Sequence, residues 1–152
     1  MAEIILSNRM QALTDMVTPG TVITDVGCDH GFVSVYLVQK GISPRVIAMD
    51  VRSGPLEHAR EHIREYGLED RIETRLSDGL HSLKTGEAAG MICAGMGGPL
   101  MEKILTEGRE QAKGFRELIL QPQSEIPHFR TFLMEEGYLL MLSLIHISEP
   151  TR

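Results

Sequence analysis

A short segment near the start of the chain combines glycine with acidic residues, a combination that suits a small cationic ligand. The segment reads Asp25-Val26-Gly27-Cys28-Asp29-His30-Gly31 and follows an apolar run. Glycines at 27 and 31 let the backbone turn tightly and approach a ligand. Because Asp29 stands two positions after Gly27, the G-x-G-x-x-G pattern of dinucleotide sites is absent. A carboxylate here repels a pyrophosphate and suits a sulfonium or an ammonium group, as in S-adenosylmethionine; the alternative is a generic glycine turn.

Two further polar segments follow apolar runs. Asp50 lies within Met49-Asp50-Val51-Arg52, and an acidic residue about 20 positions after a glycine turn typically accepts from ribose hydroxyls. The alternative role is capping of the next helix, for which Ser53 is the better residue. The tripeptide Ser77-Asp78-Gly79 offers acceptors for an adenine amino group, or is a plain turn.

A glycine-rich loop, Ala94-Gly95-Met96-Gly97-Gly98-Pro99, follows a fourth apolar run. Three glycines expose backbone carbonyls and amides, which allows a flat ring to approach the main chain. The alternatives are a flexible loop or a phosphate-binding nest. The lysine-serine pair of a Walker motif is absent, which argues against a nucleoside triphosphate.

These four segments need strands and helices that bring them together. Predicted helices cover residues 4–17, 31–40, 53–66, 99–113 and 124–136, and predicted strands cover residues 21–26, 45–51, 71–76, 90–94 and 117–120. The alternation predicts a doubly wound, largely parallel α/β sheet. Ligands of such sheets bind outside the carboxyl ends of the strands, so the four segments are expected at one shared edge.

Composition bounds the class of protein. A chain of 152 residues suits one domain, and no apolar run approaches the roughly 20 residues that span a bilayer. The net charge of -6 argues against nucleic-acid binding by the whole surface. The two cysteines form no disulfide framework or metal pattern, which favours a cytoplasmic location.

Histidine and cysteine offer weaker candidates. His58 and His62 stand four positions apart on a predicted helix, a spacing that can bind a metal. Since the sequence shows no third ligand, a solvated helix face is the favoured interpretation and no metal is predicted. Cys93 is interpreted as a small core residue, although its position next to the glycine loop also allows a thiol near the site.

The combined motifs resemble those of the bacterial tRNA (adenine-22-N1)-methyltransferases. The resemblance runs from Leu6 to about Tyr138. The motifs that carry it are Leu6-Ser7-Asn8-Arg9 with Gln11, Asp25-Val26-Gly27-Cys28-Asp29-His30-Gly31, Met49-Asp50-Val51, Ser77-Asp78-Gly79-Leu80, Ala94-Gly95-Met96-Gly97-Gly98 and Leu120-Gln121-Pro122-Gln123. The first glycine turn and the later glycine loop are specific together and weak apart.

The resemblance implies a Rossmann-like class I methyltransferase fold, an S-adenosyl-L-methionine cofactor and a tRNA substrate. The turn from Asp25 to Gly31 would hold the methionine part of the cofactor. Asp50 with Val51 would bind ribose, and Ser77, Asp78 and Gly79 would face adenine. The loop from Gly95 to Gly98 would receive the target base. Arg9, Arg52 and Arg130 are expected to form a small RNA-binding patch near the pocket mouth.

Methyl transfer to N1 of adenine needs little acid–base chemistry. The N1 lone pair attacks directly, so proximity and orientation are expected to supply about 7–11 kcal/mol. N1-methylation leaves the base cationic, so carboxylates or carbonyls nearby would stabilise the developing charge. Asp29 is the predicted carboxylate, unless it faces only the cofactor. The carbonyls of Met96 and Gly97 are predicted acceptors for the amino group.

The end of the chain departs from the pattern. Residues 1–142 are predicted to form the cofactor-binding domain, and residues 143–152 resemble a translated sequencing adapter and are predicted to be a non-native tail. The helical C-terminal domain of the resembled family is expected to be missing, which would weaken tRNA binding. A methyltransferase of a small molecule or a protein and a noncatalytic fragment stay open as alternatives, and the sequence specifies no oligomeric state.

Overall fold

The structure, a computed structural model, describes residues 3–140. Helices and strands alternate along this part of the chain. In chain order they are α1 (Asn8–Asp15), β1 (Ile23–Val26), α2 (Phe32–Gln39), β2 (Val46–Asp50), α3 (Ser53–Glu65), β3 (Ile72–Leu76), β4 (Gly90–Met96), α4 (Gly98–Glu107), α5 (Arg109–Ala112), β5 (Glu117–Pro122) and α6 (Ile126–Glu135). The predicted tail at residues 143–152 lies outside the described residues.

The strands form one parallel sheet with the order β3-β2-β1-β4-β5. Asp25 of β1 stands beside Ala48 of β2 and Ile92 of β4, and Asp50 of β2 stands beside Leu76 of β3. The strand order reverses between β1 and β4, because β2 and β3 extend in one direction and β4 and β5 in the other. Such a reversal opens a crevice for ligands at the carboxyl edge.

Helices cover both faces of the sheet, as a doubly wound fold requires. One apolar cluster joins α1, α2 and α3 to the sheet through residues such as Leu13, Leu37 and Leu56. A second cluster joins α4 and α6 to the opposite face, around Met101 and Phe129. The predicted fold class is confirmed. None of the helices within residues 3–140 is long and apolar enough to cross a membrane.

Several predicted boundaries were wrong by two residues or more, and three differences have a structural cause. Helix α1 begins at Asn8 rather than residue 4, since the Ser7 hydroxyl caps it and Ile5 is 91% exposed. The predicted helix 99–113 is broken at Gly108, which packs so tightly that a Cβ atom there would lie 2.6 Å from Leu80. Ser53 is the first residue of α3 and not its cap, because Arg52 occupies the N-cap position.

Candidate functional site

A cavity of about 710 Å³ opens at the carboxyl edge of the sheet. This volume is typical of a site for a small organic ligand. All four predicted segments contribute to it. The predicted site residues that line the cavity are Asp25, Gly27, Cys28, Asp29, Asp50, Val51, Ser77, Asp78, Gly79, Gly95, Met96 and Gly97, together with Arg9 and Arg52. The tertiary structure therefore joins segments that lie up to 72 positions apart in sequence.

Four backbone amides of the glycine turn after β1 donate hydrogen bonds to acceptors within the protein. The amides of Gly27 and Cys28 both donate to the Met49 carbonyl, at 2.8 and 2.9 Å. The Asp29 amide donates to Asp50 Oδ2 at 3.0 Å, and the Gly31 amide to the Cys28 carbonyl at 2.8 Å. A phosphate-binding loop needs free N–H groups that point at the anion. This turn is consequently unsuited to a pyrophosphate.

Asp50 is buried, with 2% of its surface exposed, and both of its oxygens have protein partners. Besides the Asp29 amide, Asp50 accepts from the Arg52 amide at 2.9 Å and from Arg52 Nε at 3.3 Å, both through Oδ1. Asp50 therefore closes a turn just before α3, whose N-cap is Arg52 and not Ser53, the residue that the sequence had predicted. A carboxylate has about four lone-pair positions, so acceptor capacity for ribose hydroxyls is left.

Asp25 is a second buried carboxylate, two strand positions from the glycine turn. The Ser34 hydroxyl of α2 donates to Asp25 Oδ2 at 2.7 Å. The pKa of Asp25 is raised to about 6, chiefly by burial; the Ser34 hydrogen bond opposes this rise, and the charges of Asp50 and Asp29 add to it. A buried carboxylate without a cationic partner costs free energy, and a bound cation would relieve that cost.

The two polar side chains after β3 differ in how accessible they are to a ligand. The Ser77 hydroxyl is buried; it donates to the Gly79 carbonyl at 2.8 Å and accepts from the Ser82 amide at 3.0 Å. These two hydrogen bonds close the local turn. Asp78 is exposed and lines the cavity. Of the two predicted acceptors for adenine, Asp78 has the more accessible side chain.

The glycine loop after β4 is packed closely against the chain that follows β5. A Cβ atom at Gly98 would lie 2.6 Å from the Ser124 carbonyl oxygen, and one at Gly97 would lie 2.8 Å from Ser124 Oγ. The Gly98 amide donates to the Ser124 carbonyl at 3.0 Å, and the Gln123 amide donates to the Met96 carbonyl at 2.8 Å. The loop is held in place by these contacts, and one lone pair of the predicted Met96 acceptor is already used.

Three predicted site residues do not line the cavity. The His30 ring stacks on His58 with 5.1 Å between ring centroids, so it faces α3 instead. A Cβ atom at Gly31 would lie 3.0 Å from that of Ala59, which means that this glycine permits close packing of α2 on α3. Arg130 lies on α6, and the structure does not place it at the mouth of the cavity.

Two glutamines of the cavity were not predicted as site residues. Gln121, the penultimate residue of β5, lines the cavity with only 3% of its surface exposed, and the exposed Gln123 also lines it. The signal was present, because Leu120-Gln121-Pro122 closes a predicted strand at the same edge as the four predicted segments. Apolar residues, among them Met10 and Leu100, form the rest of the lining.

The thiols and the metal candidates do not change this description of the site. Burial raises the pKa of Cys93 to about 12 and also raises that of Cys28, so both thiols are protonated at neutral pH. His62 Nδ1 lies 2.8 Å from the His30 carbonyl oxygen, which gives the predicted solvated histidine a specific contact. Within residues 3–140, three possible metal ligands meet only at Asp78, His81 and Glu107, all exposed.

Residues 6–149 match the family described as a methyltransferase domain. The chain belongs to this family. The tRNA (adenine(22)-N(1))-methyltransferase of Bacillus subtilis is 36% identical over 145 residues, which are 95% of this chain and 61% of that protein. The chain thus spans about three fifths of the length of this curated relative. The predicted resemblance to that group of enzymes is confirmed.

Solved structures agree with this assignment. The m1A22 tRNA methyltransferase of B. subtilis superposes with a TM-score of 0.85 at 35% identity, covering 92% of this chain and 60% of that one. A Streptococcus pneumoniae protein, solved in complex with S-adenosyl-L-methionine, superposes with a TM-score of 0.84 at 33% identity, covering 88% of this chain and 63% of that one. The fold is the Rossmann-like fold of methyltransferases.

Proposed function

We propose that this protein is an S-adenosyl-L-methionine-dependent tRNA methyltransferase that transfers a methyl group to N1 of adenine 22. The observation that carries the proposal is the acidic cavity, in which buried Asp25 and Asp50 lie at the carboxyl ends of neighbouring strands, beside a turn with four engaged N–H groups. That chemistry fits a cationic nucleoside without phosphate. The B. subtilis relative supports the tRNA substrate and the position of the target base.

The order of the strands supports one direction for the cofactor. Asp78 follows β3, Asp50 ends β2, and Asp25 lies in β1, so these carboxylates succeed one another across the sheet. In the proposed arrangement, Asp78 accepts from the adenine amino group and Asp50, next to Val51, accepts from the ribose hydroxyls. Asp25 and the turn from Gly27 to Asp29 then face the methionine part, whose ammonium and sulfonium groups the carboxylates attract.

When bound, the cofactor supplies a methyl group on a positively charged sulfur; the N1 lone pair forms the new bond as the carbon–sulfur bond breaks and its electron pair stays on sulfur. No proton has to leave N1, so the residues mainly position the base. Asp29, 60% exposed at its side chain, is the proposed carboxylate that stabilises the new charge on the base. The Gly97 carbonyl and the remaining lone pair of Met96 are proposed acceptors for the amino group.

The proposal extends to RNA contacts and location. Arg9 and Arg52 line the cavity and offer positive charge for phosphates next to the target base. Arg130 on α6 stays a candidate for a more distant RNA contact. Because the net charge is -6, these few cations would position tRNA locally and supply little general attraction. A cytoplasmic location fits two buried, free cysteines.

The decisive test is product analysis. Unmodified tRNA is incubated with the protein and S-adenosyl-L-methionine, then digested and analysed for N1-methyladenosine by nucleoside mass spectrometry. A transcript with guanine at position 22 is the matched control and should gain no methyl group. Methylation of cytosine, guanine or a protein instead would contradict the tRNA-adenine assignment. Calorimetric titration with S-adenosyl-L-methionine and with NAD tests the cofactor separately, and tight binding of NAD alone would contradict it.

A further inference from the structure

The cavity extends beyond the three carboxylates that the proposed function gives to the cofactor. Its lining continues from β1 across Ile92 and Ala94 of β4 to Gln121 of β5. Neighbouring strands lie about 4.8 Å apart, so Gln121 stands roughly 10 Å from the strand that carries Asp25. The end of the cavity at β5 is therefore the part left for the methyl acceptor.

Gln121 has the properties of a ligand-reading side chain. Only 3% of its surface is exposed, yet within residues 3–140 its side-chain amide has no hydrogen-bond partner. The sole fully buried side-chain atom without a partner in those residues is Ser43 Oγ, so the amide of Gln121 borders open space, which the cavity supplies. An amide that borders the cavity without a protein partner is expected to meet a polar group of the ligand there.

We propose that the Gln121 side chain is a specificity-determining group that reads the Hoogsteen edge of the target adenine, a role that rests on the proposed function. A glutamine amide pairs with adenine through two hydrogen bonds: Oε1 accepts from the N6 amino group and Nε2 donates to N7. This pairing leaves N1 without a hydrogen bond, so its lone pair is free to attack the methyl group.

The same pairing rejects guanine. Guanine presents acceptors at both O6 and N7, so one of the two amide atoms of Gln121 would face a group of the same kind. The Met96 carbonyl, which already accepts from the Gln123 amide at 2.8 Å, can accept from the base but cannot donate to N7. Gln121 supplies a donor and an acceptor on one side chain, whereas the Met96 and Gly97 carbonyls only accept.

The test compares adenine with 7-deazaadenine at position 22 of a tRNA transcript, for the unchanged protein and its variants. Gln121→Met keeps the length of the side chain and should lower kcat/KM on adenine by about 5- to 150-fold, the range expected for one bidentate pair. It should also abolish the preference for adenine over 7-deazaadenine. Gln111→Met on α5 is the matched control and should leave both the rate and the preference unchanged.

Gln121→Glu sharpens the test. A carboxylate still accepts from N6 but repels the N7 lone pair, so this variant should reverse the preference and methylate the 7-deazaadenine transcript faster. Any change in N1 reactivity caused by the analogue is common to all variants and cancels in their ratios. The affinity for S-adenosyl-L-methionine, measured in parallel, should stay within about twofold of that of the unchanged protein. The melting temperature should stay nearly the same.

The outcomes separate this inference from the proposed function. If the unchanged protein methylates adenine 22 and Gln121→Met keeps the same preference for N7, the inference is wrong and the function stands. If the variant loses cofactor affinity by the same factor as activity, Gln121 belongs to the cofactor site and the inference is also wrong. If the unchanged protein methylates no adenine in tRNA, both are overturned.

Discussion

The terminal methyl group of Met96 lies over Gly27, at a place where a Cβ atom of residue 27 would stand only 2.4 Å from Met96 Cε. This contact joins the turn after β1 to the loop after β4, which are the two segments that carried the resemblance at the sequence level. Gly27 also has a φ of +74°, in the left-handed region that favours glycine. The backbone conformation favours glycine at this position, and a Cβ atom would in addition displace the end of the Met96 side chain.

Gly27→Ala should therefore lower the free energy of unfolding by more than the roughly 1–2 kcal/mol that a left-handed conformation costs. The matched control is Gly20→Ala, since Gly20 has a φ of +89° and nothing within 4 Å of its Cβ position. Gly27→Ala should lose more unfolding free energy than Gly20→Ala. Combining Gly27→Ala with Met96→Ala should remove this difference, as measured by urea unfolding. An equal loss in the two glycine variants would show that Met96 moves aside without cost.

Asp50→Ala should reduce both stability and cofactor affinity. The Asp29 and Arg52 amides lose their acceptor at a buried carboxylate, which should cost about 1–3 kcal/mol of unfolding free energy. Loss of the charged acceptor for ribose should weaken the binding of S-adenosyl-L-methionine by a similar free energy. Calorimetric titration at a temperature where the variant is folded checks the second effect. Undiminished affinity there would remove Asp50 from the ligand site and leave it as a structural acceptor for the Asp29 and Arg52 amides.

Asp25→Asn should stabilise the ligand-free protein at pH 7 while weakening cofactor binding. The pKa of Asp25 is raised from 3.8 to about 6, so the native state holds its proton more tightly than the unfolded state. Stability therefore falls as pH rises from about 4 to 6, and ionisation costs roughly 3 kcal/mol at pH 7. Asparagine has no such cost and keeps an acceptor for Ser34.

Urea unfolding at pH 4.5 and pH 7 checks the sign of this effect. The stabilising effect of Asp25→Asn should be large at pH 7 and small at pH 4.5, and Asp70→Asn, at an exposed aspartate, should show no such difference. Cofactor affinity of the unchanged protein should decline as pH falls below about 6, because a neutral Asp25 no longer attracts a cation. A pH-independent affinity would contradict the proposed contact.

Substitutions of Ser77 and Asp78 should affect stability and cofactor binding separately. Ser77→Ala removes the acceptor of the Ser82 amide and the donor to the Gly79 carbonyl, so it should lower the unfolding free energy by about 1–3 kcal/mol. Asp78→Ala, at an exposed side chain, should leave stability nearly unchanged and weaken the binding of S-adenosyl-L-methionine. Thermal unfolding and calorimetric titration of both variants check this, and the opposite pattern would reverse the two roles.

The sequence by itself determined the fold class and the four segments of the cavity. Strand and helix signals are local, and the carboxyl ends of parallel strands meet at one edge whatever the details of packing. The types of residue in the turn from Asp25 to Gly31 were also sufficient to exclude a pyrophosphate, and the engaged amides agree.

Only the tertiary structure decided which polar groups remain available to a ligand. Ser77 and Asp50 are both predicted from the sequence as ligand acceptors. The folded chain uses the donor and one lone pair of the Ser77 hydroxyl, and part of the Asp50 carboxylate, for hydrogen bonds within the protein. His30 turns towards His58, while Gln121 keeps an unpaired amide at the cavity. Hydrogen-bond partners and burial depend on segments distant in sequence, so no local pattern could assign these roles.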